Sequence, residues 1–232
     1  MRPLKCLVGL LLFPACFAAT QALYQLLIDL SGAGLHGIPL SVWGLVTGFV
    51  LWLLIYLGMP RPVRSYVLAH ELTHALWGWA MGARIKGIRV SKSGGAVRLT
   101  RTNFLITLAP YFFPFYTVCI ILLHAILSLF FDMHTYEPVW LGWVGLTWGF
   151  HFTFTLSTLK TKQPDIEEHG RLFSYVIIYL CNILGICLWI LTVSDIGWSE
   201  GGTTIWELTR NSYNAVWRQV LQITGLSSGS LA

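Results

Sequence analysis

The stretch that decides the reading is His70-Glu71-Leu72-Thr73-His74, set inside an apolar run from Val63 to Ala83. Residues four apart lie one above the other on a helix, so a helical run brings the His70 and His74 imidazoles to one point. Glu71 sits about 100° further around the same helix, within reach of a water beside that point. Imidazole suits zinc, and a catalytic zinc site takes three protein ligands and keeps a fourth position open for water. His70 and His74 are therefore candidate zinc ligands, and Glu71 is the candidate general base. The setting adds weight: a charged group at the centre of a membrane helix costs about 2.5–3.5 kcal/mol, so ionisable side chains kept there usually serve a function.

The rest of the chain is built like a membrane protein. Of its 232 residues 55% are hydrophobic and 11% are charged, with a mean hydropathy of +0.65. Ordinary soluble domains carry about 25% charged residues. Eleven Trp and nine Tyr suit aromatic belts at the two bilayer interfaces. The net charge of +5 is spread over loops, which fits an anionic membrane face as partner. No basic run interleaved with aromatics marks a nucleic-acid surface. The five cysteines stand in apolar segments without a CxxC, so they read as small buried hydrophobes.

Working outward from the HExxH, the expected architecture is an all-α polytopic membrane protein, a single membrane domain over residues 1–232. Six apolar segments are expected at 6–30, 35–59, 63–83, 103–131, 138–159 and 171–196. The first has a signal-like opening, but the chain runs on through Leu23, Leu26 and Leu27 to complete a spanning helix, which favours an uncleaved segment. A turn is expected at Ser31-Gly32-Ala33-Gly34. Gly78, four residues after His74, leaves room for a close neighbour, and Gly82 is the expected helix stop. Residues 84–102 alternate apolar and basic residues around Ser93-Gly94-Gly95. They predict a membrane-associated β-hairpin, Lys86–Ser91 with Ala96–Arg101, turning at the glycines. Pro110 and Pro114 predict a kink or break in segment four, facing protein or a cavity. Residues 197–232 form an amphipathic tail, expected to lie at the membrane interface.

Two histidines do not complete a zinc site. Asp165 follows Pro164 at the mouth of segment six, where a helix N-terminus favours a carboxylate. His151, in the apolar interior of segment five, and Glu167 or Glu168, beside Asp165, are the other candidates for the third ligand.

The order of HExxH helix, glycine-containing hairpin, proline-containing helix and Asp resembles the site-2 protease class of intramembrane zinc metalloproteases, in particular the compact M50B-like bacterial members. The resemblance covers roughly residues 63–190. It implies His70, His74 and Asp165 as ligands of one zinc ion per chain, Glu71 as the base, and hydrolysis of a peptide bond in a membrane-spanning protein substrate. It also implies an active site near the cytoplasmic face of a bacterial inner membrane. The sequence departs from the family pattern in three places: Ile166 follows Asp165 where the family has Gly, Gln163-Pro164 replaces the usual Asn-x-x-Pro, and no PDZ-like insertion exists. The basic residues Arg84, Lys86, Arg89, Lys92, Arg98 and Arg101, with Lys160, Lys162 and Arg171 about Asp165, agree with a cytoplasmic placement by the positive-inside rule. Two other functions compete with the protease: an inactive relative that holds zinc or a substrate helix without cutting, and a transporter or proton relay. A relay predicts ionisable groups strung across the bilayer and repeated halves, whereas the chain has one cluster and no repeat.

Overall fold

The computed structural model describes residues 2–31, 40–91, 94–194 and 196–224. The expected turn at Ser31-Gly32-Ala33-Gly34, apart from Ser31, and the start of segment two at 35–39 lie outside the described residues. The protein is mostly helical, with one two-stranded antiparallel hairpin. Its elements are α1 (Arg2–Leu11), α2 (Phe13–Ser31), α3 (Leu40–Gly58), α4 (Val63–Ala80), β1 (Ile85–Ser91), β2 (Gly94–Leu99), α5 (Phe104–Leu108), α6 (Phe115–Leu127), α7 (Glu137–Leu159), α8 (Pro164–His169), α9 (Arg171–Val193) and α10 (Trp198–Ile223). Short 3₁₀ turns sit at Ala109–Tyr111 and His134–Tyr136.

Two helical stretches are long and apolar enough to cross a membrane: Pro3–Asp29, 27 residues, and Arg171–Thr192, 22 residues. A third joins them if the bent pair Phe104–Tyr111 and Phe115–Leu127 counts as one span. Pro3–Asp29 contains the junction of α1 and α2, where Pro14 brings no N–H to the ladder. The run continues through it, because Leu12 N–H donates to Val8 O and Cys16 N–H donates to Leu12 O.

The chain divides into two compact units. The first holds the described residues of Met1–Gly34 and His169–Ala232. Its core gathers Leu26, Cys187, Ile190 and Leu191, with Ile205 of α10 packed against them. The described part of the amphipathic tail is a helix, α10, as its pattern predicts, and it runs along α2. Ile205 sits beside the Leu26 cluster, and eight residues on, the Tyr213 hydroxyl donates to Leu11 O. Trp206, Trp217 and Val220 remain exposed. Of the cysteines, Cys16 and Cys187 are buried, whereas Cys6 and Cys119 are exposed.

The second unit, Leu35–Glu168, contains the HExxH helix. Its frame is the pair α3 and α7, which pack backbone on backbone. A Cβ built on Gly44 would overlap the carbonyl oxygen of Pro138, one on Gly48 that of Gly142, and one on Gly145 that of Leu45. Glycines at this spacing let membrane helices approach closely. Beyond the glycines the pair closes over the aromatic cluster Trp52, Phe150 and Phe154, against which Tyr66 of α4 and Tyr116 of α6 pack. Trp52 Nε1 donates to Thr153 Oγ1 at 2.9 Å, and the Tyr66 ring stacks on Phe154 at 4.8 Å. This cluster fastens the first turn of α4.

α4 ends at Ala80, three residues before its expected limit, and the chain turns at Gly82, whose φ of 74° lies in the left-handed region open to glycine. The hairpin then folds back on α4. The neighbour that uses the room at Gly78 is Leu99 of β2, whose side chain fills the place a Cβ would take. The hairpin forms where expected, but the glycines are not its turn. Gly94 and Gly95 pair with Ser91 and Val90 inside the strands, and residues 92–93 lie outside the described residues. Gly95 belongs in the strand for a packing reason: a Cβ there would come within 2.6 Å of the Glu71 carboxylate.

Candidate metal centre

The break in segment four builds half of the site. Asn103 caps α5 by accepting from Ile106 N–H at 3.0 Å. Four residues after Ile106 the chain has Pro110, which has no N–H to offer, so the helical partner of Ile106 O is missing. His74 uses that carbonyl: its Nδ1 lies 2.8 Å from Ile106 O. A carbonyl can only accept, so Nδ1 carries the proton, and the lone pair of Nε2 is left able to act as a ligand. The chain then turns through Ala109–Tyr111 and leaves along α6 at 83° to its entry. Both prolines singled out in the sequence stand at this bend, and the bend faces the site.

Three donor atoms converge. His74 Nε2 lies 3.2 Å from His70 Nε2, His70 Nε2 lies 3.3 Å from Asp165 Oδ2, and His74 Nε2 lies 3.6 Å from the same oxygen. A tetrahedral zinc site with bond lengths of about 2.0–2.2 Å separates its ligand atoms by about 3.3–3.6 Å. Two imidazoles and a carboxylate at these spacings fit the donor set and the edge lengths of a zinc site. No other group of three His, Cys, Asp or Glu among the described residues could hold a metal ion.

The third donor comes from α8. Pro164 opens this one-turn helix, and Ile166, 2% exposed, anchors it in the interior while Asp165 turns toward α4. Burial alone would raise the Asp165 carboxyl. The two imidazoles that face its Oδ2 outweigh that and hold it well below the usual carboxylate range. The sign is that of a depressed acid: the group is ionised at neutral pH, as a metal ligand must be, and its contribution is lost only as the pH falls through the lowered value.

Of the other candidates, Glu167 and Glu168 are exposed on α8, and neither belongs to the donor group. His151 is buried on α7. It lines a small cavity together with His70, Tyr66, Thr73, Tyr116 and Thr147, and is also outside the donor group. Glu71 is 6% exposed and lies under Gly95 of the hairpin.

The structure adds residues that the sequence reading did not single out. The Tyr111 hydroxyl donates to Asp165 Oδ2 at 3.0 Å, and the Tyr66 hydroxyl lies 3.4 Å from His70 Nδ1. Tyr66 was legible in part, since it precedes His70 by one helical turn. Tyr111 had no signal beyond its place between two prolines.

The outer face of the hairpin is basic. Between Glu71 and Asp132 the sequence has no acidic residue. Arg84, Lys86, Arg89, Arg98 and Arg101 are all exposed there. Comparison of the chain with protein-family models, with curated proteins and with solved structures finds no match.

Proposed function

We propose that this protein is a zinc-dependent intramembrane endopeptidase of the site-2 protease kind. The observation that carries the reading is the convergence of His70 Nε2, His74 Nε2 and Asp165 Oδ2 at separations of 3.2–3.6 Å, one residue away from the buried carboxylate of Glu71. A zinc ion held by these three residues would supply the Lewis acidity that turns water into a nucleophile near pH 7. The Glu71 carboxylate would serve as the base that takes a proton from the attacking water and returns it to the leaving amine. His74 is held in the required tautomer by Ile106 O, so its donor is pre-aimed. β2 covers Glu71 through Gly95 and shields the base from bulk water.

The substrate is a membrane-spanning segment, locally unwound so that its amide reaches the site. A two-stranded sheet leaves each strand one unpaired edge, and the unwound segment adds to the hairpin as a further strand. In this reading about six segments cross the bilayer. α3, α4 and α7, with 19, 18 and 23 residues, are close to the 20 or so that a hydrocarbon core of about 30 Å asks for. The basic hairpin supports a site toward the cytoplasmic face of a bacterial inner membrane, by the positive-inside rule.

The test is the metal content of the detergent-purified full chain beside Asp165→Ala and His74→Ala. About one zinc per wild-type chain, lost in both variants, is the expected result. Full retention in Asp165→Ala would remove Asp165 from the ligand set. A wild type without zinc, purified free of chelators, would sink the protease reading and favour the relay.

A further inference from the structure

Tyr111 is wholly withdrawn from solvent, 0% exposed. A buried phenol needs a partner for its hydroxyl. Here the hydroxyl donates to Oδ2 of Asp165 at 3.0 Å, and the ring stands edge-on to His70 with 5.3 Å between centroids. Oδ2 is also the oxygen that faces both imidazole nitrogens. A carboxylate oxygen has two lone-pair directions. With Tyr111 on one of them, the other is free for the point on which the nitrogens converge.

We propose that Tyr111 is a positioning residue of the metal centre: its hydroxyl fixes the Asp165 carboxylate so that Oδ2 is the ligand atom. The proposal rests on the zinc reading of the His70–His74–Asp165 group. The need for such a residue is built into the fold. Asp165 stands on a six-residue helix, α8, which is too short to hold a ligand direction by itself. Tyr111, by contrast, cannot swing. Pro110 fixes the backbone before it, the 3₁₀ turn carries it, and the interior encloses its ring. The arrangement is the carboxylate counterpart of the bond from His74 Nδ1 to Ile106 O. Partners of this kind orient metal ligands, and losing one typically weakens metal binding about 10- to 100-fold.

Tyr111→Phe removes the hydroxyl and keeps the ring. Tyr116→Phe is the control: it loses a hydroxyl that donates to Ser65 O, away from the donor atoms. The experiment uses the full chain in detergent and reads two quantities, the zinc dissociation constant by chelator competition and the visible spectrum of the cobalt(II)-loaded protein. Thermal unfolding of the metal-free proteins checks that all three fold alike. The expected result is zinc binding weakened about 10- to 100-fold in Tyr111→Phe, with shifted cobalt bands, and wild-type values for both in Tyr116→Phe. Wild-type zinc affinity together with an unchanged cobalt spectrum in Tyr111→Phe would overturn the positioning role and leave the zinc reading standing. A wild type that binds no zinc would overturn the zinc reading, and the positioning role with it.

Discussion

If the proposed zinc peptidase reading holds, Glu71→Gln should retain zinc and lose hydrolysis by about 10²–10⁴-fold, the range over which a positioned general base contributes. Glutamine has nearly the shape of glutamate, so the packing of this buried side chain under Gly95 is kept. The three donor atoms of the proposed site belong to His70, His74 and Asp165, so metal binding there would not depend on Glu71. What the amide lacks is the ability to accept a proton from water near neutral pH. The measurement pairs metal content with cleavage of quenched-fluorescence apolar peptides in detergent micelles, wild type beside variant. A variant that holds one zinc and cuts at the wild-type rate would remove Glu71 from the mechanism and leave the base to be sought elsewhere.

Gly48→Leu should unseat α7 from α3. A Cβ at this position overlaps the carbonyl oxygen of Gly142, a backbone atom on the facing helix that no rotamer change can move. Overpacking of side chains commonly costs about 1–3 kcal/mol, and a clash with backbone belongs at the upper end of that range or beyond it. The expected outcome is a fall in the thermal unfolding temperature in detergent, accompanied, on the proposed zinc reading, by weaker zinc retention, because α7 leads directly into the segment that carries Asp165. Gly58→Leu is the matched control. It lies on the same helix, and a Cβ there meets nothing within 4 Å. Equal stability of the two variants would show that the glycine contacts do not hold the helices together.

Much of this arrangement could be read from the residues. The periodicity of His70 and His74, the prolines of segment four and the alternation from Ile85 to Leu99 are local signals, and local signals predict local structure. The HExxH helix, the break at Pro110 and the hairpin follow from them directly. Asp165 was readable as the leading candidate, because Pro164 marks a helix start and the family resemblance points to it, but its meeting with His70 and His74, which His151, Glu167 and Glu168 do not share, needed three dimensions. So did Tyr111, whose importance lies in a hydroxyl 54 residues away from the carboxylate it meets. The placement of Gly94 and Gly95 in a strand instead of a turn has the same origin. Glycine in a sequence announces freedom of the backbone, and only the neighbour, here Glu71, shows whether that freedom is used for bending or for closeness. The tail along α2 is a further case. A helical pattern gives an apolar face, and the surface that receives it lies nearly two hundred residues earlier in the chain.

The donor atoms also have a meaning in polymer terms. His70 and Asp165 are separated by 95 positions, and the hairpin, the bent pair and α7 all lie on the strip of chain between them. An ion shared by the two ends is a covalent-like knot in that strip. Pinning a loop of this length removes conformational freedom from the disordered chain worth about 4–5 kcal/mol at 25 °C in the chain-entropy treatment of cross-links. That is a large fraction of the 5–15 kcal/mol by which whole domains are stable. The same three side chains would then serve as clasp as well as reagent, so that a chain deprived of its ion becomes a looser object everywhere between its two ends.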